Sequence, residues 1–138
     1  MSNLIVPDTG KIAMAKVIIQ AHQIAKIDLF QNNYTPDHAA SLGLLTVANF
    51  AGYAQQTLTT PVVSPVLDGT NRAFITWDPV TFTRSGGPNN TIYGYYVTDD
   101  AGNLLWVERF DSPVPVNADG VFLTLTPKLT DMSQFLNP

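Results

Sequence analysis

IYGYYVTDDAGNLLWVERF, the sequence of residues Ile92–Phe110, predicts a β-hairpin. Two apolar runs rich in aromatic and β-branched residues flank the turn-forming segment Asp99–Asn103. Gly102 can supply the left-handed residue of a type I turn that is followed by a G1 bulge. A regular register from this turn places Tyr96 opposite Trp106. Both faces of the predicted hairpin are apolar, so we expect each face to be covered by another layer or another chain.

Outside the hairpin, segments of β-type composition alternate with Gly, Pro, Asn and Asp. The chain has fifteen Thr but a single Glu, whereas the surfaces of helical proteins favour Glu and Ala over β-branched residues. Residues His38–Tyr53 are predicted to form a loop with room for a helical turn. We predict further strands at Lys26–Phe30, Thr57–Thr60, Ala73–Trp77 and Val121–Thr126, and Val80–Arg84 either continues the Ala73–Trp77 strand after a bulge or begins the next strand. Short strands of this kind predict a mainly β fold, either an antiparallel β-sandwich or a small jelly-roll-like barrel.

The N-terminal region differs from the rest of the chain in its periodicity. Residues 1–8 are predicted to form an apolar arm, because Pro7 fixes its own φ and favours an extended residue before it. One α-helix is predicted at about residues 9–23, with Asp8 or Thr9 as its cap. Apolar residues occupy most of its circumference, so we expect it to pack against a sheet or a partner chain. The 138-residue chain is expected to comprise this arm and a single domain over residues 9–138.

The composition argues against several classes of partner. Seven Lys and Arg against eleven Asp and Glu give a net charge of −4, which disfavours nucleic acid, because nucleic-acid binding needs a cationic surface. The apolar run Ile12–Ala21 is interrupted by Lys16 and Gln20 and is too short to cross a bilayer, so we predict no membrane partner. The absence of Cys removes thiolate metal sites and Cys nucleophiles. Only 13% of residues are charged, which favours association with other chains.

Residues that carry enzyme chemistry are sparse. We interpret His22 as structural at the end of the predicted helix and His38 as solvent-facing in a loop. The pair Asp99–Asp100 is explained by the turn that contains it. Glu108 is predicted to pair with an arginine such as Arg84 or to mark a solvent-exposed strand edge. The sequence contains no zinc, phosphate-binding or hydrolase motif, so we predict a protein that is not an enzyme and has no catalytic residue, cofactor or metal.

Five aromatic side chains leave two interpretations open. Large aromatics in alternating strands normally fill a core or a subunit interface, and this is the interpretation that we favour. Flat rings in an exposed row can instead stack on sugars, which keeps glycan binding as the alternative. The five residues are Trp77, Tyr93, Tyr95, Tyr96 and Trp106.

Two apolar segments are the candidate partner-binding sites. One is the N-terminal arm, and the other is the proline-punctuated connection Pro61–Gly69. Apolar arms and edge segments gain affinity when many weak copies act together. The candidate residues are Leu4, Ile5, Val6, Val62, Val63, Val66 and Leu67.

Six motifs follow one another over nearly the whole chain: Leu4–Pro7, Asn33–Pro36, Phe50–Tyr53, Ile92–Val97, Leu104–Phe110 and Leu125–Leu129. Together they resemble a group of small virion proteins of tailed bacteriophages. The resemblance implies a capsid cement or decoration protein on the virion surface, made in the host cytoplasm, with the major capsid protein and its own copies as partners. The alternative is a head-fibre or tail module that binds a host-surface glycan or receptor. The motifs consist of structural residues, so the resemblance implies no catalytic residue.

Overall fold

The computed structural model describes residue 5, residues 7–21 and residues 25–130, and along the helix it describes the side chains as far as residue 17. The described chain is mainly antiparallel β with one helix near the N-terminus, which is consistent with a β-sandwich-like fold and confirms the predicted fold class. The predicted sites Leu4, Val6 and His22 lie outside the described residues.

The elements follow the predicted order. The helix α1 covers Asp8–Ala21, and a 3₁₀ turn covers Leu42–Leu44 within the predicted loop. The strands are β1 Ala25–Phe30, β2 Gln56–Leu58, β3 Val62–Val63, β4 Ile75–Thr76, β5 Val80–Thr83, β6 Asn90–Asp99, β7 Leu104–Val116, β8 Phe122–Leu125 and β9 Lys128–Leu129. The carbonyl of Pro7 accepts a hydrogen bond from the Lys11 amide at 3.0 Å, so the helix begins immediately after this proline.

The chain divides into two compact units. The helical unit comprises Met1–Gln23, Thr59–Pro79 and Thr126–Pro138, and the sheet unit comprises Ile24–Leu58 and Val80–Leu125. The single domain expected over residues 9–138 stays a prediction.

The helical unit places α1 beside a small antiparallel sheet of order β3-β4-β9. Its strands are only two residues long, and the central pair is Ile75 with Leu129. Ile75 is fully buried. The sequence predicted one longer strand at Ala73–Trp77 and no strand at β3 or β9, because two-residue strands carry no measurable alternation.

The sheet unit contains a four-stranded antiparallel sheet of order β2-β1-β6-β7 and a two-stranded ribbon of β5 and β8. β1 lies between β2 and β6, and five of its six residues are buried. β2 ends at Leu58, short of the predicted Thr60, because Thr60 has a φ of 55° that no strand residue adopts.

The β6–β7 hairpin has the predicted turn but not the predicted register. Gly102 has a φ of 86°, and the Asp99 amide donates to the Asn103 carbonyl at 3.0 Å. Beyond the turn, a bulge moves the register by one residue, so Tyr96 lies opposite Val107 and not opposite Trp106. The predicted Tyr96–Trp106 pair is therefore wrong.

The bulge has a physical advantage at the neighbouring position. It places Tyr95 opposite Glu108, and the Tyr95 hydroxyl donates to the Glu108 Oε2 at 2.7 Å. A regular register would place Tyr95 opposite Val107, which offers no side-chain acceptor to a buried hydroxyl. Buried polar groups require hydrogen-bond partners, so the shifted register satisfies a group that the regular one would not.

Gly94 allows a close approach at the centre of the four-stranded sheet. It lies opposite Phe30 on β1, and a Cβ at residue 94 would overlap the Glu108 carbonyl oxygen of β7 and lie 2.6 Å from the Phe30 ring. The backbone of β7 and the fully buried Phe30 ring occupy the space that any larger residue at 94 would need.

Candidate functional site

The described candidate partner-binding residues lie in the helical unit. Ile5 is 79% exposed and Val66 is 66% exposed, while Val62 is about half exposed. Val63 and Leu67 are only partly exposed. Successive strand residues point to opposite faces, so β3 presents Val62 and turns Val63 the other way.

A hydrogen-bonded loop supports this exposed segment. The Asp68 Oδ1 accepts bonds from the Thr70 and Arg72 amides, each at 2.9 Å, and from the Thr70 hydroxyl at 2.8 Å. These bonds, first that of the Arg72 amide, hold the pKa of Asp68 below its usual value. Lys11 of α1 donates to the Asn71 carbonyl at 3.0 Å and so ties the helix to the same loop. Val66 lies in the bend that precedes this turn, where its amide donates to the Ser64 hydroxyl at 3.3 Å.

The helix adds a second exposed apolar surface to this unit. Met14 is about half exposed and Val17 is 63% exposed, whereas Ala15 is fully buried. Lys11 pairs with Asp8 at 3.8 Å, and Lys16 is exposed beside Val17. The predicted apolar helix thus has exposed apolar residues on the side away from Ala15.

Exposed apolar residues also occur on one loop of the sheet unit, residues 37–47, which we call the leucine loop. Leu42, Leu44 and Val47 are exposed, and the 3₁₀ turn has no buried residue. The Asn32 side chain closes the loop, because its amide donates to the Leu44 carbonyl at 2.9 Å and its oxygen accepts from the Thr46 amide at 2.8 Å. This surface was not predicted from the sequence, and the signal that could have indicated it is the Leu-Gly-Leu of the turn.

A buried carboxylate on β1 is the main polar group that sequence reasoning missed. Asp28 is 5% exposed, and its oxygens accept from the Tyr53 hydroxyl at 2.5 Å and from the Gln55 amide at 2.6 Å. The Tyr53 hydroxyl also accepts from the Leu29 amide at 3.0 Å. The available signal was an Asp in the otherwise apolar strand sequence AKIDLF.

Burial and the nearby carboxylate change the acidity of the tyrosines. Desolvation, followed by the hydrogen bond to Asp28, raises the pKa of Tyr53 well above its ordinary value of 10.0. Burial, with a further contribution from Asp28, raises the pKa of Tyr96 to about 12. Both phenols are held neutral, so the Tyr53 hydroxyl acts as a hydrogen-bond donor that fixes the segment carrying Tyr53 to β1.

Of the two alternatives predicted for Glu108, a pair with Arg84 is wrong, and a solvent-exposed position on an edge strand is confirmed, because Glu108 is exposed on β7. Glu108 accepts from Tyr95, whose pKa is raised first by burial. Arg84 is buried and donates to Asp119 at 2.7 Å and to the Gly87 carbonyl at 2.7 Å. It thereby joins two turns of the sheet unit, which is a structural role.

The aromatic residues are mostly inside their units. Trp77, Tyr95 and Tyr96 are each less than 10% exposed, and Tyr93 and Trp106 are partly exposed. The Arg109 guanidinium lies 5.2 Å from the centre of the Tyr93 ring. The three buried rings occupy the core positions that the favoured interpretation assigned to them.

The described residues form neither a metal site nor a membrane-spanning helix. Within the described ranges, no group of three or more His, Asp or Glu side chains is placed to hold a metal ion. His38 is exposed, as the loop prediction expected. In the part of the chain that the structure describes, no helix has both the length and the apolar character that crossing a bilayer requires.

Comparison with known proteins identifies no relative of this chain. No protein-family model matches the chain, and no curated protein or solved structure matches it either.

Proposed function

We propose that the chain is a non-enzymatic structural protein of a virion, a cement or decoration protein that binds the major capsid protein on the surface of a phage head. The observation that carries the proposal is the concentration of exposed apolar side chains in the helical unit. They are Ile5, Met14, Val17, Val62 and Val66.

The distribution of charge also favours attachment through the helical unit. The helical unit has four basic residues, Lys11, Lys16, Arg72 and Lys128, and four acidic residues, Asp8, Asp68, Asp78 and Asp131. The sheet unit has three basic and seven acidic residues, so it carries the entire net charge of −4. A neutral, apolar unit can approach a protein surface without net repulsion or loss of charge hydration.

Weak contacts are sufficient for such a function. A shell presents many identical sites, so modest contacts at each copy add up over the particle. The bond from the Val66 amide to Ser64 and the Asp68 bonds that follow order the chain around Val66 before any partner binds, which lowers the entropy lost on binding.

The burial of Trp77, Tyr95 and Tyr96 favours this proposal over a glycan-binding module. Stacking on sugars requires ring faces that solvent can reach, and these three rings are packed inside. The glycan-binding alternative would have to depend on the partly exposed Tyr93 and Trp106.

The test is reconstitution on particles assembled without this chain. Added wild-type protein should bind and raise the temperature at which the heads burst, with host adsorption unchanged. The double variant Val62→Asp/Val66→Asp should bind at least tenfold more weakly, because both substitutions place charge in the contact. Phe122→Asp is the matched control, since Phe122 is 66% exposed but lies in the sheet unit, and it should bind as wild type. The proposal would be rejected if particles with and without the chain burst at the same temperature and the particles without it no longer adsorbed to the host.

A further inference from the structure

The outer face of α1 is a continuous apolar stripe. Gly10, Ala13, Met14 and Val17 are spaced by three, one and three residues, which places them on one face of the helix. Ala15 lies on the opposite side, where it is buried. A helix that is apolar on both sides is normally covered on both sides.

From Ala39 onward, the leucine loop belongs to an unusually long uncharged segment. Ala39–Leu67 contains no Asp, Glu, Lys, Arg or His over 29 residues, although about four charged residues would be expected at the chain's 13% average. The Asn32 hydrogen bonds already order the loop, so its leucines need no further ordering when a partner binds. The sheet unit thus offers one preformed apolar surface, and the helical unit offers another.

Single charges beside the two surfaces distinguish the ways in which they can meet. Lys16 adjoins the α1 stripe, and Asp37 begins the leucine loop; both are exposed, and neither forms an ion pair within the described part of the chain. Pairing two α1 stripes brings two Lys16 side chains together, and pairing two leucine loops does the same for Asp37. Placing an α1 stripe against a leucine loop brings opposite charges together.

We propose that copies of this chain associate head to tail, with the α1 stripe of one copy bound to the leucine loop of the next. The occupant of each surface is therefore a second copy of the same chain. Such a contact is heterologous, so it repeats from copy to copy and produces a ring or a filament. It shares Met14 and Val17 with the capsid contact proposed above and uses the leucine loop in place of Ile5, Val62 and Val66, and its test requires no capsid.

The contact is small, so it is reversible and depends on concentration. Interfaces at the low end of the size range bind weakly, and the average mass should rise between about 10 μM and about 1 mM. Because the surfaces are mainly apolar, added salt should weaken the association by less than about threefold.

Sedimentation of two complementary variants tests the proposal. Met14→Gln/Val17→Gln removes the stripe with good helix formers, and Leu42→Ser/Leu44→Ser removes the leucine loop. Each variant alone should remain a monomer at about 1 mM, because each retains one of the two surfaces. Their equimolar mixture should form a one-to-one dimer and nothing larger. Phe122→Ser is the matched control and should associate as the wild type does.

Several outcomes would overturn the proposal. If the wild type stays monomeric throughout this concentration range, the proposed contact does not form. If either variant alone associates as strongly as the wild type, the contact lies elsewhere. A mixture that stays monomeric excludes the head-to-tail arrangement. Circular dichroism of each variant must match the wild type, which separates loss of contact from loss of fold.

A charge exchange provides a second test with little risk to folding, since both sites are exposed. Lys16→Glu and Asp37→Lys should each weaken association by about threefold to tenfold. The double variant restores an opposite pair at every contact and should recover most of the loss. Additive weakening in the double variant would contradict the pairing of these two residues.

Discussion

Tyr53→Phe removes one oxygen atom from the interior of the sheet unit. In the wild type this hydroxyl donates to Asp28 at 2.5 Å and accepts from the Leu29 amide at 3.0 Å. The variant keeps the ring, which stacks on Phe82 with centres 5.6 Å apart. The substitution therefore tests the two hydrogen bonds with little change in apolar packing.

The expected cost follows from what each partner loses. A hydrogen bond to a charged acceptor contributes about 1.5–3 kcal/mol, and a buried amide left without an acceptor costs about 1–3 kcal/mol. Asp28 keeps its bond from Gln55, which limits the penalty for the carboxylate. We expect Tyr53→Phe to lower the free energy of unfolding by about 3–4 kcal/mol, a large part of the 5–15 kcal/mol typical of a domain.

Urea unfolding followed by tryptophan fluorescence measures this loss at pH 7. Tyr93→Phe is the matched control, because Tyr93 is partly exposed and no described residue hydrogen-bonds its hydroxyl; it should change the free energy of unfolding by less than about 0.5 kcal/mol. In a double-mutant cycle with Asp28→Asn, which keeps an acceptor, the coupling to Tyr53→Phe should be about 1–2 kcal/mol. A Tyr53→Phe loss no larger than that of Tyr93→Phe would refute the reasoning.

Three further predictions concern the sheet unit. Gly94→Ala should lower the free energy of unfolding by about 3 kcal/mol in chemical denaturation, because the new methyl group overlaps the Glu108 carbonyl oxygen and the Phe30 ring, and an unchanged midpoint would contradict this packing. Gly102→Ala should cost about 1 kcal/mol for its positive φ alone, since a Cβ there meets no atom within 4 Å, and a loss above about 3 kcal/mol would show another cause. Stability should also fall above pH 10: Tyr53 and Tyr95 stay protonated in the fold and ionise when unfolded, so the slope from these two is about 2–3 kcal/mol per pH unit, and denaturant midpoints that stay constant from pH 9 to pH 11 would contradict it.

The sequence predicted the elements whose signal is local. The hairpin turn follows from Gly102 and Asp99, which determine their own backbone geometry. β1 and β5 match their predicted positions within one residue, and the helix begins at Asp8, beside the predicted start. These elements depend on neighbours a few residues away, so a single sequence carries the information.

Features that depend on distant residues could not be predicted in this way. The register shift beyond the turn is explained by the pairing of Tyr95 with Glu108, which lies on the other strand. The partners of Asp28 come from a loop 25 and 27 residues away, and nothing local in AKIDLF indicates them. β3 and β9 exist only because both pair with β4.

The same limit applies to the candidate surfaces. The sequence identified Val62 and Val66 because prolines break the chain on either side of them, and both are exposed. It did not identify Met14 and Val17, because an apolar helix does not show which of its sides the sheet covers. The leucine loop was not predicted although Leu-Gly-Leu is a local signal, because the bonds from the Asn32 side chain that close the loop join residues 12 and 14 positions apart.

The central claim is that the helical unit attaches this chain to a larger assembly, and amide hydrogen exchange on free and particle-bound protein tests it most directly. Binding should slow exchange at residues 62–67 by at least tenfold, with the β5–β8 ribbon unchanged. Equal exchange at residues 62–67 in the two states, or protection confined to the ribbon, would contradict the claim.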